Sequence, residues 1–175
     1  HYFFSDIRAE GILLYQHDHA ELIKPGQLKP EEARSIAQKH FDQWFESGSS
    51  FFLTYQQVLE RGDLKQAAFL LHQATERLYA CVLLVFTNYL PKSHNLKMLN
   101  NLAIQQAELV RTVFPQETKF HRRCFELLKR AYIESRYSEH YTITEDELVW
   151  LAERVQHLQT LTDSLCKEKI ASFDS

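Results

Sequence analysis

A chain of 175 residues is long enough for one domain with a proper hydrophobic core. Its 45% hydrophobic and 25% charged content is ordinary for a globular protein, and a net charge of −3 gives no global pull toward nucleic acid or anionic membrane. Three widely spaced cysteines, Cys81, Cys124 and Cys166, argue for reduced thiols in the cytoplasm rather than a disulfide frame. No apolar run reaches the ~18–20 residues of a membrane span.

Residues 1–28 differ from the rest. "HYFFSDI" and "GILLYQHDHAELI" read as a short β extension, closed by Pro25-Gly26 and Pro30, the strongest breakers in the sequence. Such an element cannot stand alone, so its partners are expected upstream. The chain also begins at His1, with Met98 as its only methionine, and so reads as a piece of a longer protein.

Residues 29–175 read as helical throughout, with only four glycines and four prolines in the whole chain. The first helix opens on Pro30-Glu31-Glu32, with a weak point at Ser47-Gly48-Ser49-Ser50. The second starts on Asp63 as N-cap and ends before Pro91. Its stripe of Ala67, Leu70, Leu71, Ala74, Leu78, Cys81, Val82 and Val85 broadens over 78–86 until nearly every side is apolar. That half is expected at a bundle centre or in a dimer interface.

The third helix is expected to be capped near Ser93 and to run through "HNLKMLNNLAIQQAELV". The fourth is expected to start at Pro115, with Phe120, Cys124, Leu127, Leu128 and Ala131 on its apolar side. The fifth opens on a capping box, Thr144 with Glu147, and lines one side with Leu148, Leu151, Val155, Leu158, Leu161 and Leu165. The fold class is therefore all-α, an antiparallel bundle of about five helices with a short N-terminal β extension.

Several residue groups carry possible chemistry. On the fourth helix, six basic residues between 116 and 136 outnumber three acidic ones. Arg122, Lys129 and Arg136 share one line at seven-residue spacing, which suits either a phosphate track or a solvated face. His72 and Glu76, four apart on the second helix, form either an acid–base pair or two groups satisfying each other at the core edge. His17 and His19 alternate as metal ligands would on a strand, or sit in a polar loop.

No C-x-x-C, H-E-x-x-H or phosphate loop is present, and no cofactor is expected. Gly48-Ser49 is not followed by the Asp-x-Asp that a nucleotidyltransferase needs for Mg²⁺. At the end of the fourth helix, "AYIESRYSEHY" gathers Arg136, Tyr137 and His140. There His140 could take a proton from a ribose hydroxyl while Arg136 stabilises the phosphate, unless the helix ends near Tyr137.

"AAFLLHQATERLYACVLLV", "HNLKMLNNL" and "LLKRAYIESRY", in that order, resemble the HEPN domain of prokaryotic proteins over about residues 50–168. The matching residues are Leu71 to Glu76, then His94, Leu96 and Leu99, then Ala131, Tyr132, Arg136 and Tyr137. "FFSDIRAEGILLYQ" resembles the last segment of a minimal nucleotidyltransferase domain often fused ahead of such a bundle. The helical part is also similar to the C-terminal half of kanamycin nucleotidyltransferase.

The resemblance implies a homodimer with a groove built from both protomers, and two activity classes. Many members are metal-independent RNases with an Arg…His motif; three residues separate Arg136 from His140 here, one fewer than that motif asks for. Others bind nucleotides or assist the attached transferase. The leading expectation is therefore nucleotide or RNA-phosphate binding by His72, Glu76, Arg136 and Tyr137. In that reading His72 donates a hydrogen bond and Tyr137 stacks on a base. An endoribonuclease using Arg136 and His140, with a possible toxin–antitoxin role, and a pure dimerisation module stay open beside it.

Overall fold

The computed structural model describes residues 29–174, which form five α-helices and two short 3-10 turns, with no strand among the described residues. The β extension, the transferase-like segment and the His17/His19 pair all fall outside the described residues. In chain order the helices are α1 (Pro30–Glu60), α2 (Leu64–Thr87), α3 (Leu96–Gln106), α4 (Lys119–Tyr137) and α5 (Glu145–Ala171).

Helix α2 is the centre: α1, α3, α4 and α5 all pack on it. Its start is set by Asp63, whose carboxylate accepts from Gln66 N–H. Its end is set by Asn88, which takes up a left-handed conformation (φ 52°) that releases the chain. Between them 17 of the 24 residues are buried, so the all-round apolar stretch at 78–86 lies at the bundle centre. By length and composition α2 is apolar enough to cross a membrane, which corrects the expectation that no segment is. However, 78% of that window is covered by the other helices, so its apolar length is core.

The weak point expected at 47–50 is absent, and α1 runs through it unbroken. Gly48 is there for proximity rather than flexibility. A Cβ built on it would come within 3.0 Å of Leu78 Cγ and 3.1 Å of Leu78 Cδ2. Beside it Ser49 Oγ donates to Phe45 O (2.8 Å) and accepts from Gln159 Nε2 (2.7 Å), which ties α5 to the same place.

Three boundaries move from their expected places. The cap of α3 is Asn95, accepting from Met98 N–H, and the helix stops at Gln106 before a separate 3-10 turn, Glu108–Thr112. Helix α4 begins at Lys119 under a Thr118 cap, four residues beyond Pro115. Phe120 is 42% exposed rather than core, meeting Trp150 edge-on. These are local contests between polar side chains, which hydrophobic periodicity does not register.

The capping box of α5 is complete: Glu147 N–H reaches Thr144 Oγ1, and Thr144 N–H reaches Glu147 Oε2. Glu147 is buried and also accepts from Arg123 Nε at 2.6 Å, so the box joins α4 to α5. Thr144→Ala is expected to cost about 1 kcal/mol, measured as a shift of the urea midpoint at unchanged slope. An unchanged midpoint would show that the cap adds nothing.

All three cysteines are free and buried. Cys81 and Cys166 Sγ atoms lie 4.0 Å apart, and that contact together with burial pushes the Cys81 thiol far up from its ordinary range.

Candidate functional site

The bundle brings together groups far apart in sequence where α2, the loop before α3 and the end of α4 meet. His72 and Glu76 project from one face of α2 toward α4. The left-handed turn at Asn88 and Pro91 carry the chain across to His94, which stands beside the Asn95 cap. Ser93 Oγ accepts from Asn95 N–H (3.1 Å) and fixes that corner.

His72 is completely buried, and its Nδ1–H donates to Leu128 O at 2.9 Å. Because a carbonyl can only accept, Nδ1 carries the proton there, and Nε2 faces Glu76 Oε2 at 3.5 Å without a hydrogen bond. His94 Nδ1 donates to the same oxygen at 2.9 Å and keeps its side chain 55% exposed. Burial works against the Glu76 carboxylate, but the two histidines beside it, His72 and the hydrogen-bonded His94, outweigh it and hold the carboxyl below its ordinary value of 4.5.

A group whose folded pKa is depressed stabilises the fold above its unfolded pKa and loses that contribution as pH falls through the folded value. The Glu76 contribution should therefore fade below about pH 4.5. Glu76→Gln should be less stable than the parent at pH 6, with the gap closing in acid unfolding curves. A gap that stays constant with pH would contradict this pairing.

Tyr132, one turn before Arg136, links the two halves of the site. Its ring stacks on His94 with centroids 4.2 Å apart, lies 5.4 Å from His72 and 6.4 Å from Phe69. Arg136 folds back along α4. Its Nε donates to Tyr132 O at 2.9 Å, its Nη2 reaches the same carbonyl, and the guanidinium carbon lies 4.7 Å from the Phe69 centroid, 4.9 Å from Tyr132 and 5.2 Å from Tyr137. Arg136 and Tyr137 are both exposed, Tyr137 at 76%.

Helix α4 ends at Tyr137, and Ser138 is already extended. His140 is exposed in the turn beyond, with its backbone N–H on Ser138 Oγ. The helix break therefore separates Arg136 and His140 from the shared face that four-residue spacing on one helix gives. Tyr141, next in line, is buried with its hydroxyl on Leu127 O (3.0 Å).

The basic side of α4 is mostly engaged with its own protein. Arg122 caps the Gln116 and Glu117 carbonyls, Arg123 pairs with Glu147, Lys129 with Glu126 and Arg130 with Glu134. This is the solvated-face reading more than a continuous phosphate track. A cavity of about 550 Å³ opens between the start of α3 and the middle of α4, with His94, Lys97 and Tyr132 on its wall. No cluster of three metal-ligating side chains occurs among the described residues.

Of the residues expected from sequence, His72, Glu76 and Arg136 gather around Tyr132, Tyr137 borders them at the surface, and His140 stands apart. His94 and Tyr132 were overlooked as site residues. Their signal was present, since both lie in the segments that carry the family resemblance. A family model described as "HEPN domain" matches residues 41–162. No curated protein shows significant similarity to the chain.

Proposed function

This chain belongs to the HEPN domain family, and on that premise we propose that it binds a nucleotide or RNA phosphate at the Arg136 end of α4. One observation carries the reading. Arg136 is an exposed cation held by a backbone carbonyl and three aromatic rings, already ordered for an anion and flanked by stacking surfaces.

His72 takes a supporting part here, because a fully buried ring bonded to Leu128 cannot reach a ligand; it braces Glu76, which braces His94. Tyr137 offers the ligand a ring at the surface. Ile133 and Tyr137, four apart on α4 and 60% and 76% exposed, form an apolar strip beside the site that a second copy of the chain would cover. The proposal therefore includes a homodimer with a shared groove. It also includes an accessory role to a nucleotidyltransferase domain joined ahead of residue 29, in a cytoplasmic protein whose buried thiols suit reducing conditions. An endoribonuclease would need Arg136 and His140 to converge, and the end of α4 between them favours binding over cleavage.

Fluorescence anisotropy with a labelled oligoribonucleotide in EDTA tests this. The account expects salt-dependent binding, weakened about 10- to 100-fold by Arg136→Ala, the range for loss of a charged hydrogen bond, with the RNA intact. Equal binding by the variant contradicts it. Cleavage abolished by His140→Ala would give the site to the endoribonuclease instead.

A further inference from the structure

The open cavity between the start of α3 and the middle of α4 differs in character from the Arg136 surface. We propose that it holds a nucleoside monophosphate, with His94 taking up a proton from solvent as the ligand binds and donating a hydrogen bond from Nε2 to the phosphate. The inference rests on the nucleotide reading above and adds the ligand class and the residue that selects it.

Size is the first argument. About 550 Å³ lies within the range of small-ligand sites and is ample for one nucleotide. Charge is the second. Lys129 and Arg130 on the cavity wall are tied to Glu126 and Glu134, which also line it. A polyanionic strand threaded here would meet two carboxylates, whereas a ligand with one anionic end and a hydroxyl-bearing body suits both. The end that suits the anion is the wall formed by His94 and Lys97, and the Lys97 ammonium has no ion-pair partner among the described residues.

The orientation of His94 is the third argument. Its Nδ1–H is given to Glu76 Oε2 at 2.9 Å, so the exposed side of the ring presents Nε2. Stacking on Tyr132 at 4.2 Å holds the ring in that plane. Glu76 then supplies the counter-charge for a ring that takes up a proton, as a carboxylate behind a histidine does in many sites.

A phosphomonoester has a second ionisation near ~6, close to that of an imidazole, and a phosphodiester has none. The monoester dianion can therefore draw a proton onto His94 as it binds. The ionisable groups around His94 are Glu76 from α2, with His72 behind it, Lys97 from α3 and Tyr132 from α4, and Lys129, Arg130, Glu126 and Glu134 of α4 line the same cavity.

The test is calorimetry on the whole chain at pH 7 with adenosine monophosphate, in two buffers of different ionisation enthalpy. Binding should be accompanied by net proton uptake. His94→Gln should weaken it by about tenfold, the loss of one charge-assisted hydrogen bond, and abolish the uptake. Glu76→Gln should reduce both, and thermal melts of each variant check that the fold persists. Adenosine and 5′-hydroxyl RNA should not displace the ligand, and inorganic phosphate should bind more weakly.

Monophosphate binding without proton uptake in the parent chain, or unchanged by His94→Gln, overturns the inference. So does displacement by 5′-hydroxyl RNA, or inorganic phosphate binding as well as the nucleotide. If RNA binds through Arg136 but the monophosphate does not, only this inference falls; if neither binds, the nucleotide reading falls with it.

Discussion

Leu78→Ala is expected to lower the unfolding free energy by about 3–5 kcal/mol, the range for a fully buried leucine in a well-packed core. Leu78 is 0% exposed at the middle of α2, directly under Gly48 of α1. The same contact makes the sign at Gly48 depend on Leu78. In the parent, Gly48→Ala gains about 1 kcal/mol of helix propensity but forces a methyl against Leu78, an overpacking cost of about 1–3 kcal/mol, so the net is a loss.

In the Leu78→Ala background the obstruction is gone, and Gly48→Ala should then stabilise by up to about 1 kcal/mol. Urea unfolding of the two single variants and the double variant closes the cycle. Identical effects of Gly48→Ala in both backgrounds would show that the helices do not meet there.

Tyr132→Ala should have the second large effect, on both stability and binding. The ring touches His72, His94, Phe69 and the Arg136 guanidinium. Truncation leaves His94 without its stacking partner and removes one of the rings under Arg136. A loss of about 2–4 kcal/mol is expected, near the low end for an aromatic truncation because the residue is only half-buried.

Ligand affinity should fall with it, since the guanidinium is no longer pre-ordered. Tyr132→Phe is the discriminating control. The hydroxyl makes no hydrogen bond to any described residue, so the phenylalanine variant should keep stability within about 0.5 kcal/mol and bind as the parent does. A defect as large as that of Tyr132→Ala would mean that the hydroxyl, not the ring, does the work.

The helical frame was legible because apolar spacing is a global signal. Ala67, Leu71, Ala74, Leu78 and Val82 recur at helical intervals, and all are buried. Caps were legible where the side chain had no competitor, as at Asp63 and Thr144. They were misplaced where Ser93 and Asn95, or Pro115 and Thr118, both fit the start of a helix.

Gly48 reads as a flexible point in one dimension and as a contact in three. The site divides the same way. Spacing placed His72 beside Glu76 because both lie on one helix. It could not give Glu76 to His94 or Tyr132 to both histidines, since those contacts depend on how α2, α3 and α4 cross. Spacing also could not settle Arg136 and His140 until the end of α4 was known to fall between them.

The central claim is that an RNA phosphate is held by Arg136 at the end of α4, against the rings of Tyr132 and Tyr137. Backbone amide chemical shifts of the ¹⁵N-labelled chain, followed while a short 5′-hydroxyl oligoribonucleotide is added, test it most directly. The account predicts saturable shifts concentrated at the end of α4 and the facing turn of α2 near Phe69, and much smaller ones in Arg136→Ala at the same ligand concentration. Saturable shifts confined to other faces of the bundle, or no shifts at all, would contradict it.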